Sequence, residues 1–263
     1  ARIARKERED PDGLPPALAA ILGEAPPAPA PPPPPAAVTV WAGSAPPHPF
    51  AEALAHFGVS KHAFVAGPTP EGRTLLVRRF VAGNPYTPSA LVVRERDGST
   101  RALPWPDTRD VYGVCTVPGA ERVFVCGGAP GPLVEIDLET GEQTERHASA
   151  SWSTGFLDAA SYAVHEGGEI RVYPHTPGPA ALASTPTAAY NLFVAHGRVY
   201  TLEQGKLVVR AWRDGALAEE LSAPLETKLF FLNAATVHEG RRLVGSVDWA
   251  GQVTWLNVGA AGG

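Results

Sequence analysis

The sequence predicts an all-β chain, a ring of five four-stranded units, preceded by a short helix and a proline-rich linker. Three observations predict it. A strand, a Gly/Pro turn, a second strand and a tight turn are written in Arg122-Val-Phe-Val-Cys-Gly-Gly-Ala-Pro-Gly-Pro-Leu-Val-Glu-Ile-Asp-Leu-Glu-Thr-Gly141, and the pattern returns in other residues along the chain. Turns holding Gly98, Gly141, Gly178 and Gly215 recur 43, 37 and 37 residues apart, the period of a propeller blade. Many of the strands are continuous apolar runs rather than alternating ones, as expected where both faces of a sheet are covered by neighbours. The fold class read from this is a five-bladed β-propeller.

Each segment has its own justification. Residues 1–37 form a tail of mixed charge, a short helix over Leu14 to Gly23 with Pro16 in its first turn and Gly23 as its stop, and a linker in which Pro31 to Pro35 favour polyproline II. The propeller is expected over 38–259. Val38-Thr-Val-Trp41 is a short β-branched and aromatic strand. Pro49 to Gly58 reads as an amphipathic helix, with Phe50, Leu54 and Phe57 on one face and the insert itself over 49–57. Five blades follow at about 61–107, 108–149, 150–186, 187–224 and 225–259.

Their inner strands are read at His62-Ala-Phe-Val, Val111-Tyr-Gly-Val, Gly155-Phe-Leu-Asp, Asn191-Leu-Phe-Val and Leu229-Phe-Phe-Leu. Second strands begin at Thr74, Arg122, Ser161, Arg198 and Arg242, and third strands at Ala90, Leu133, Glu169, Lys206 and Gln252. The fifth unit runs out after its third strand. The strand 38–41 is therefore expected to supply its fourth, which closes the ring and removes a frayed edge.

Gly245-Ser-Val-Asp-Trp-Ala-Gly-Gln-Val-Thr-Trp-Leu-Asn-Val258 resembles the second-strand, turn and third-strand portion of a WD-repeat blade, and Val164 to Tyr173 resembles another. Leu133 to Gly141 is similar to blades of quinoprotein-like propellers. The resemblance spans about Lys61 to Val258 and is to a superfamily. The Trp-Asp dipeptide that ends a WD-repeat and its usual Gly-His pair are absent, so the partner rules of WD-repeats do not carry over.

Net charge is −5, so no large basic excess points to nucleic acid. Seven basic residues face four acidic ones between Lys61 and Asp107; these are read as solvated strand edges rather than an anion patch. No 18-residue apolar run exists, so no membrane partner is expected. With no methionine and a start at Ala1, the chain reads as a piece of a larger protein or as a processed chain, and the setting expected for it is bacterial and cytoplasmic. Two cysteines are too few for a disulfide framework. The simplest hairpin sets Cys115 opposite Phe124 and Cys126 opposite Gly113, so both are expected reduced.

Propellers host many unrelated activities, so function has to be read from sites. The sequence holds no zinc-type Cys/His spacing, no Gly-x-Ser-x-Gly elbow, no calcium loop and no phosphate-cradling glycine motif. No catalytic residue, cofactor or metal is therefore assigned. His165, His196 and His238 fall near inter-strand turns and are read as exposed loop histidines sharing one rim. A binding surface is better founded. Loops entering the inner strands share one end of a propeller with second-to-third strand loops, and that end would carry Lys61, Asn84, Tyr86, Arg109, Trp152, Tyr190 and Lys228. Aromatic residues and arginine are what interfaces favour, although Trp152 and Tyr190 can equally cap inner strands. The expected function is a non-catalytic interaction module for a protein or peptide partner. The alternative is an enzyme of hydrolase or lyase type with a central-channel pocket.

Overall fold

The computed structural model describes residues 38–59, 62–79, 88–106, 109–128, 131–150, 154–176, 178, 180–189, 192–225, 227–248 and 250–260. The helix and linker expected within 1–37 lie outside them. The described residues form five four-stranded antiparallel sheets. The first is β2 (Ala63–Ala66), β3 (Thr74–Arg78), β4 (Ala90–Arg94) and β5 (Thr100–Leu103). The second is β6 (Gly113–Thr116), β7 (Arg122–Cys126), β8 (Gly131–Asp137) and β9 (Gln143–Ala150). The third is β10 (Thr154–Phe156), β11 (Ser161–Glu166), β12 (Glu169–Pro174) and β13 (Ala183–Pro186). The fourth is β14 (Leu192–Ala195), β15 (Arg198–Glu203), β16 (Lys206–Arg213) and β17 (Ala216–Pro224). The fifth combines β18 (Ala234–His238), β19 (Arg241–Val247) and β20 (Val253–Ala260) with β1 (Thr39–Val40) from the other end of the propeller sequence. The architecture is a five-bladed β-propeller.

Local chemistry sets the hairpins. Five turns are two residues long with both φ values positive: Gly167-Gly168, His196-Gly197, Gln204-Gly205, Asp214-Gly215 and Glu239-Gly240. That is the turn whose twist matches antiparallel strands, and glycine at its second position meets the requirement without steric cost. Elsewhere an aspartate makes the turn. Asp137 Oδ1 accepts from the N–H groups of Glu139 and Thr140 (3.0 and 2.9 Å), and Asp248 Oδ1 accepts from those of Ala250 and Gln252 (2.8 and 2.9 Å).

The core is distributed between blades rather than within one layer. On β7, Val123 and Val125 join one apolar cluster while Phe124 and Cys126 join the next. On β11, Tyr162 and Val164 face one way and Ala163 the other. On β15, Val199 and Tyr200 divide in the same manner. Side chains alternate along a strand, so a strand sandwiched between two blades must be apolar at every position. The middle strands are correspondingly buried, whereas most of β9 and β17 faces solvent.

Ring closure uses the non-repeating start of the propeller. Thr39 and Val40 pair with Asn257 and Leu256, and Trp41 N–H donates to Trp255 O (2.8 Å). Trp41 Nε1 then donates to Ser44 O (2.8 Å), and the Ser44 hydroxyl sits 2.8 Å from His238 Nε2 and donates to Glu239, both at the β18–β19 turn. Helix α1 (Ala51–Phe57) follows and packs on β2 and β3. It ends at Gly58, whose left-handed conformation (φ 63°) lets its own and the next N–H bond to the last carbonyls.

One strand differs from expectation. The fifth inner strand is Ala234–His238, not Leu229-Phe-Phe-Leu. Asn233 starts it: its backbone N–H bonds Gly245 O (3.0 Å), and its side chain accepts from Val247 N–H (2.8 Å) and donates to Val247 O (3.3 Å). The apolar run ahead of it is a connection in which Leu232 is buried and Phe230 is 84% exposed.

Candidate functional site

In each blade the connection into the inner strand and the turn between second and third strands lie at one end, here the entry face. The turns between first and second strands lie at the opposite end. At the entry face the inner strands converge on a central cavity of about 80 Å³. Phe64 on β2, Phe193 on β14, Tyr112 ahead of β6 and Phe231 ahead of β18 give it an aromatic lining. This volume accommodates several waters or one small side chain.

The polar groups of the mouth are set by the ends of strands. Arg79 directly follows β3, and its N–H bonds His62 O (2.8 Å). Its guanidinium lies over the rings of Tyr112 (4.5 Å) and Phe64 (5.7 Å) and pairs with Asp110 at 2.8 Å. Asp110 is held in turn by the Val111 N–H (2.7 Å) and the Ser89 hydroxyl (3.4 Å). The pair ties the first blade to the second, and both side chains are largely buried. Removing one partner of such a pair typically costs about 3–5 kcal/mol, because the other charge is stranded. Thr154 donates to Ala163 O (2.8 Å). The chemistry on offer at the mouth is accommodation of an apolar group, with Arg79 and Asp110 directed to each other.

Of the seven residues expected on this face, Arg109 lies in the β5–β6 connection and Lys228 in the β17–β18 connection. Lys228 is exposed. Arg109 is half-buried: its guanidinium lies 5.5 Å over the Trp105 ring, and its carbonyl accepts from Trp105 Nε1 (2.9 Å). Lys61, Asn84, Tyr86, Trp152 and Tyr190 lie outside the described residues. Sequence reasoning missed Arg79, Asp110 and the exposed Phe230. Arg79 looks like any strand-edge charge until the fold places Asp110 beside it, and Phe230 was absorbed into an expected strand.

Other expectations need correction. The arginines between 61 and 107 are not simply solvated. Arg73 is tied to Glu95 (2.8 Å), Glu71 (2.8 Å) and Glu121 (3.1 Å), which hold its charge more firmly than usual, and Arg101 donates to Leu138 O (2.6 Å). The three histidines do not share a rim. His165 sits near the β11–β12 turn, while His196 and His238 sit at first-to-second strand turns on the other face. Nor is His165 an exposed loop residue, being 7% exposed on β11; burial lowers its pKa. The cysteines adopt the expected offset, Cys115 opposite Phe124 and Cys126 opposite Gly113. Burial pushes the Cys115 thiol up to about 12 and that of Cys126 higher still, so neither is an activated nucleophile.

A second polar cluster lies between the second and third blades. Glu135, 4% exposed, takes Arg146 Nε at 2.5 Å and Arg122 at 3.3 Å, with His175 Nε2 at 3.7 Å. Beside it His147 Nε2 meets the Tyr162 hydroxyl at 2.8 Å. Burial lowers the His147 pKa and raises that of Tyr162 to about 12. Glu135 is thus offset by two guanidiniums of its own blade. Among the described residues no group of three or more His, Cys, Asp or Glu is arranged to hold a metal ion, and no helix is long and apolar enough to cross a membrane.

No protein-family model and no curated protein matches the sequence. Solved structures do match. U3-55K and the RRP9 WD40 repeats are each 12% identical over 73% of this chain and 66% of theirs, with TM-scores of 0.50 and 0.51. A virginiamycin B lyase from Staphylococcus aureus solved with quinupristin is 12% identical over 72% of this chain and 68% of its own, with a TM-score of 0.45. The chain thus spans 66% of the length of the two WD40 structures. At this identity the likeness is one of fold: the chain has a five-bladed β-propeller structurally similar to WD40 propellers.

Proposed function

We propose that this propeller is a non-catalytic interaction module of a larger, bacterial protein and that a protein or peptide partner docks on its entry face, across the channel mouth. The observation that carries this reading is Phe230. It is 84% exposed, in the connection that also presents Lys228 and next to Phe231 at the aromatic mouth. A large ring held in solvent beside an apolar concavity is a mark of an interaction surface. The contact set extends over Lys61, Asn84, Tyr86, Arg109, Trp152, Tyr190 and Lys228, with the cavity taking one apolar side chain of the partner. Arg79 pairs with Asp110, and Thr154 and Asn233 bond to backbone, which favours binding over chemistry.

The test is affinity purification with the full chain, followed by titration of the recovered partner against Phe230→Ala and Lys228→Ala. Phe230→Ala should weaken binding by about 2 kcal/mol, roughly thirtyfold, with melting unchanged because the ring is in solvent. Unaltered affinity for both variants would exclude the entry face.

A further inference from the structure

We propose that the cleft between the fifth and first blades, towards the face opposite the channel mouth, is a binding site for a neutral, mainly apolar small molecule that carries a carbonyl-type acceptor. The site is separate from the entry face and does not rest on the partner proposed for it. The cleft has a volume of about 530 Å³, within the range of small-molecule sites.

The non-repeating segment 44–52 builds it. At its start Ser44 bonds His238 and Glu239 of the fifth blade, and at its end Glu52 pairs with Arg94 of the first at 2.7 Å. The segment therefore bridges the two blades and is tied to each. Between the ties stand Pro46, Pro47 and Pro49, whose rings fix φ. A wall stiffened in this way loses little entropy when a ligand arrives. Pro47 and Pro49 line the cleft from the bridge, Val65 and Pro68 from the first blade, and Ala235 and Trp255 from the fifth. The Trp255 ring is seated against Gly245, where a Cβ would come within 2.7 Å of it.

The polar groups set the character of the ligand. Among the described residues lining the cleft, one carboxylate and one guanidinium occur, Glu52 and Arg94, and they pair with each other. The wall thus asks for neither an anion nor a cation. His48 supplies the independent observation. It lines the cleft and also a smaller cavity of about 30 Å³ towards the channel mouth. Its Nδ1 accepts from the Phe50 N–H (3.1 Å), which places the ring proton on Nε2. That Nε2–H is buried and has no acceptor among the described residues. A buried donor without an acceptor is rare, and leaving one unmet costs free energy that a bound acceptor returns. A carbonyl oxygen meets this need without bringing a negative charge against Glu52.

The probes are acetanilide, a flat amide with one carbonyl, and propylbenzene, of similar size but with no acceptor. Binding is followed by NMR of the full chain, with the His48 ring and the Trp255 indole as reporters. Both probes should shift the Trp255 resonance saturably, and acetanilide should shift that of His48 as well. His48→Asn, whose Oδ1 can still accept from Phe50, should weaken acetanilide by about fivefold, the measure of one hydrogen bond, and leave propylbenzene as it was. Ala51→Trp, at the exposed start of α1, should fill the cleft and weaken both probes by roughly tenfold or more. The proposal is overturned if neither probe shifts Trp255, if His48→Asn changes both probes alike or neither, or if the shifts fall on Tyr112 and Phe231 at the channel mouth. Should Ala51→Trp fail to fold, the His48→Asn comparison and the location of the shifts decide the matter.

Discussion

Compare the seam between the third and fourth blades with the one between the fifth and the first. At the former, inner strands β10 and β14 lie side by side, so close that a Cβ at Gly155 would come within 2.4 Å of the Val194 Cβ. At the latter, α1 and the residue before it enter the core. Phe50 and Ala53 are buried in the same apolar cluster as Phe64 of the first blade and Ala234, Val247 and Trp255 of the fifth, and the Phe50 and Phe64 rings meet edge to face at 5.3 Å. One seam is repeat against repeat and needs only a small residue. The other joins the two ends of the repeat array and uses sequence that belongs to no repeat. A repeat specifies contacts with its neighbours, so closing five of them into a ring demands an added device.

That contrast can be broken at its strongest point first. A chain lacking residues 1–43 loses β1 and the Trp41 bonds and leaves β20 as an open edge; it should melt at least about 10 °C below a chain lacking only 1–27, corresponding to several kcal/mol. Equal melting of the two would refute closure by β1. Next, Phe50→Ala should cost about 3–5 kcal/mol, as for other buried aromatic truncations, measured by denaturant unfolding. A loss under 1 kcal/mol would mean that α1 is dispensable to the seam. At the direct seam, Gly155→Ala should cost about 1–3 kcal/mol through overpacking. Pairing it with Val194→Ala should return part of that, because the two act on the same space; strict additivity would argue against their contact.

The smallest effect concerns a polar staple between the first two blades. Glu121 accepts from the Thr69 hydroxyl (2.6 Å), the Glu71 N–H (2.7 Å) and Arg73 (3.1 Å). Burial raises its pKa, but these partners outweigh burial and leave it below the ordinary 4.5. A depressed carboxylate stabilises the fold above its unfolded pKa, and that contribution is lost as pH falls through the folded value. Glu121→Gln should therefore be less stable than the parent at neutral pH by a modest margin, with the gap closing at pH below about 4.5. A gap that widens in acid would contradict the assignment.

Much of the fold was legible because propeller chemistry is local and repeated. The X-Gly turns, the doubly apolar middle strands and the orphan strand at 38–41 each carry a signature set by backbone sterics or side-chain alternation. The fifth inner strand was misplaced because Leu229-Phe-Phe-Leu satisfies the same apolar pattern as a strand, and only the pairing of Asn233 with Gly245 and Val247 shows where the ladder begins. The mouth was less legible. Arg109 and Lys228 could be assigned to the entry face from the order of loops, but Arg79 and Asp110 are thirty-one residues apart and belong to different blades.

The sequence by itself determined the repeat, its period, the need for a closing strand and the end at which the connecting loops gather. Tertiary structure alone decided which charges are paired, where the ring is wedged, and what cleft the wedge leaves. The physical reason is range. Turn geometry and strand alternation act over two to five residues and leave a trace in every unit, whereas an ion pair, a wedge or a cavity depends on distances between blades that no local pattern encodes.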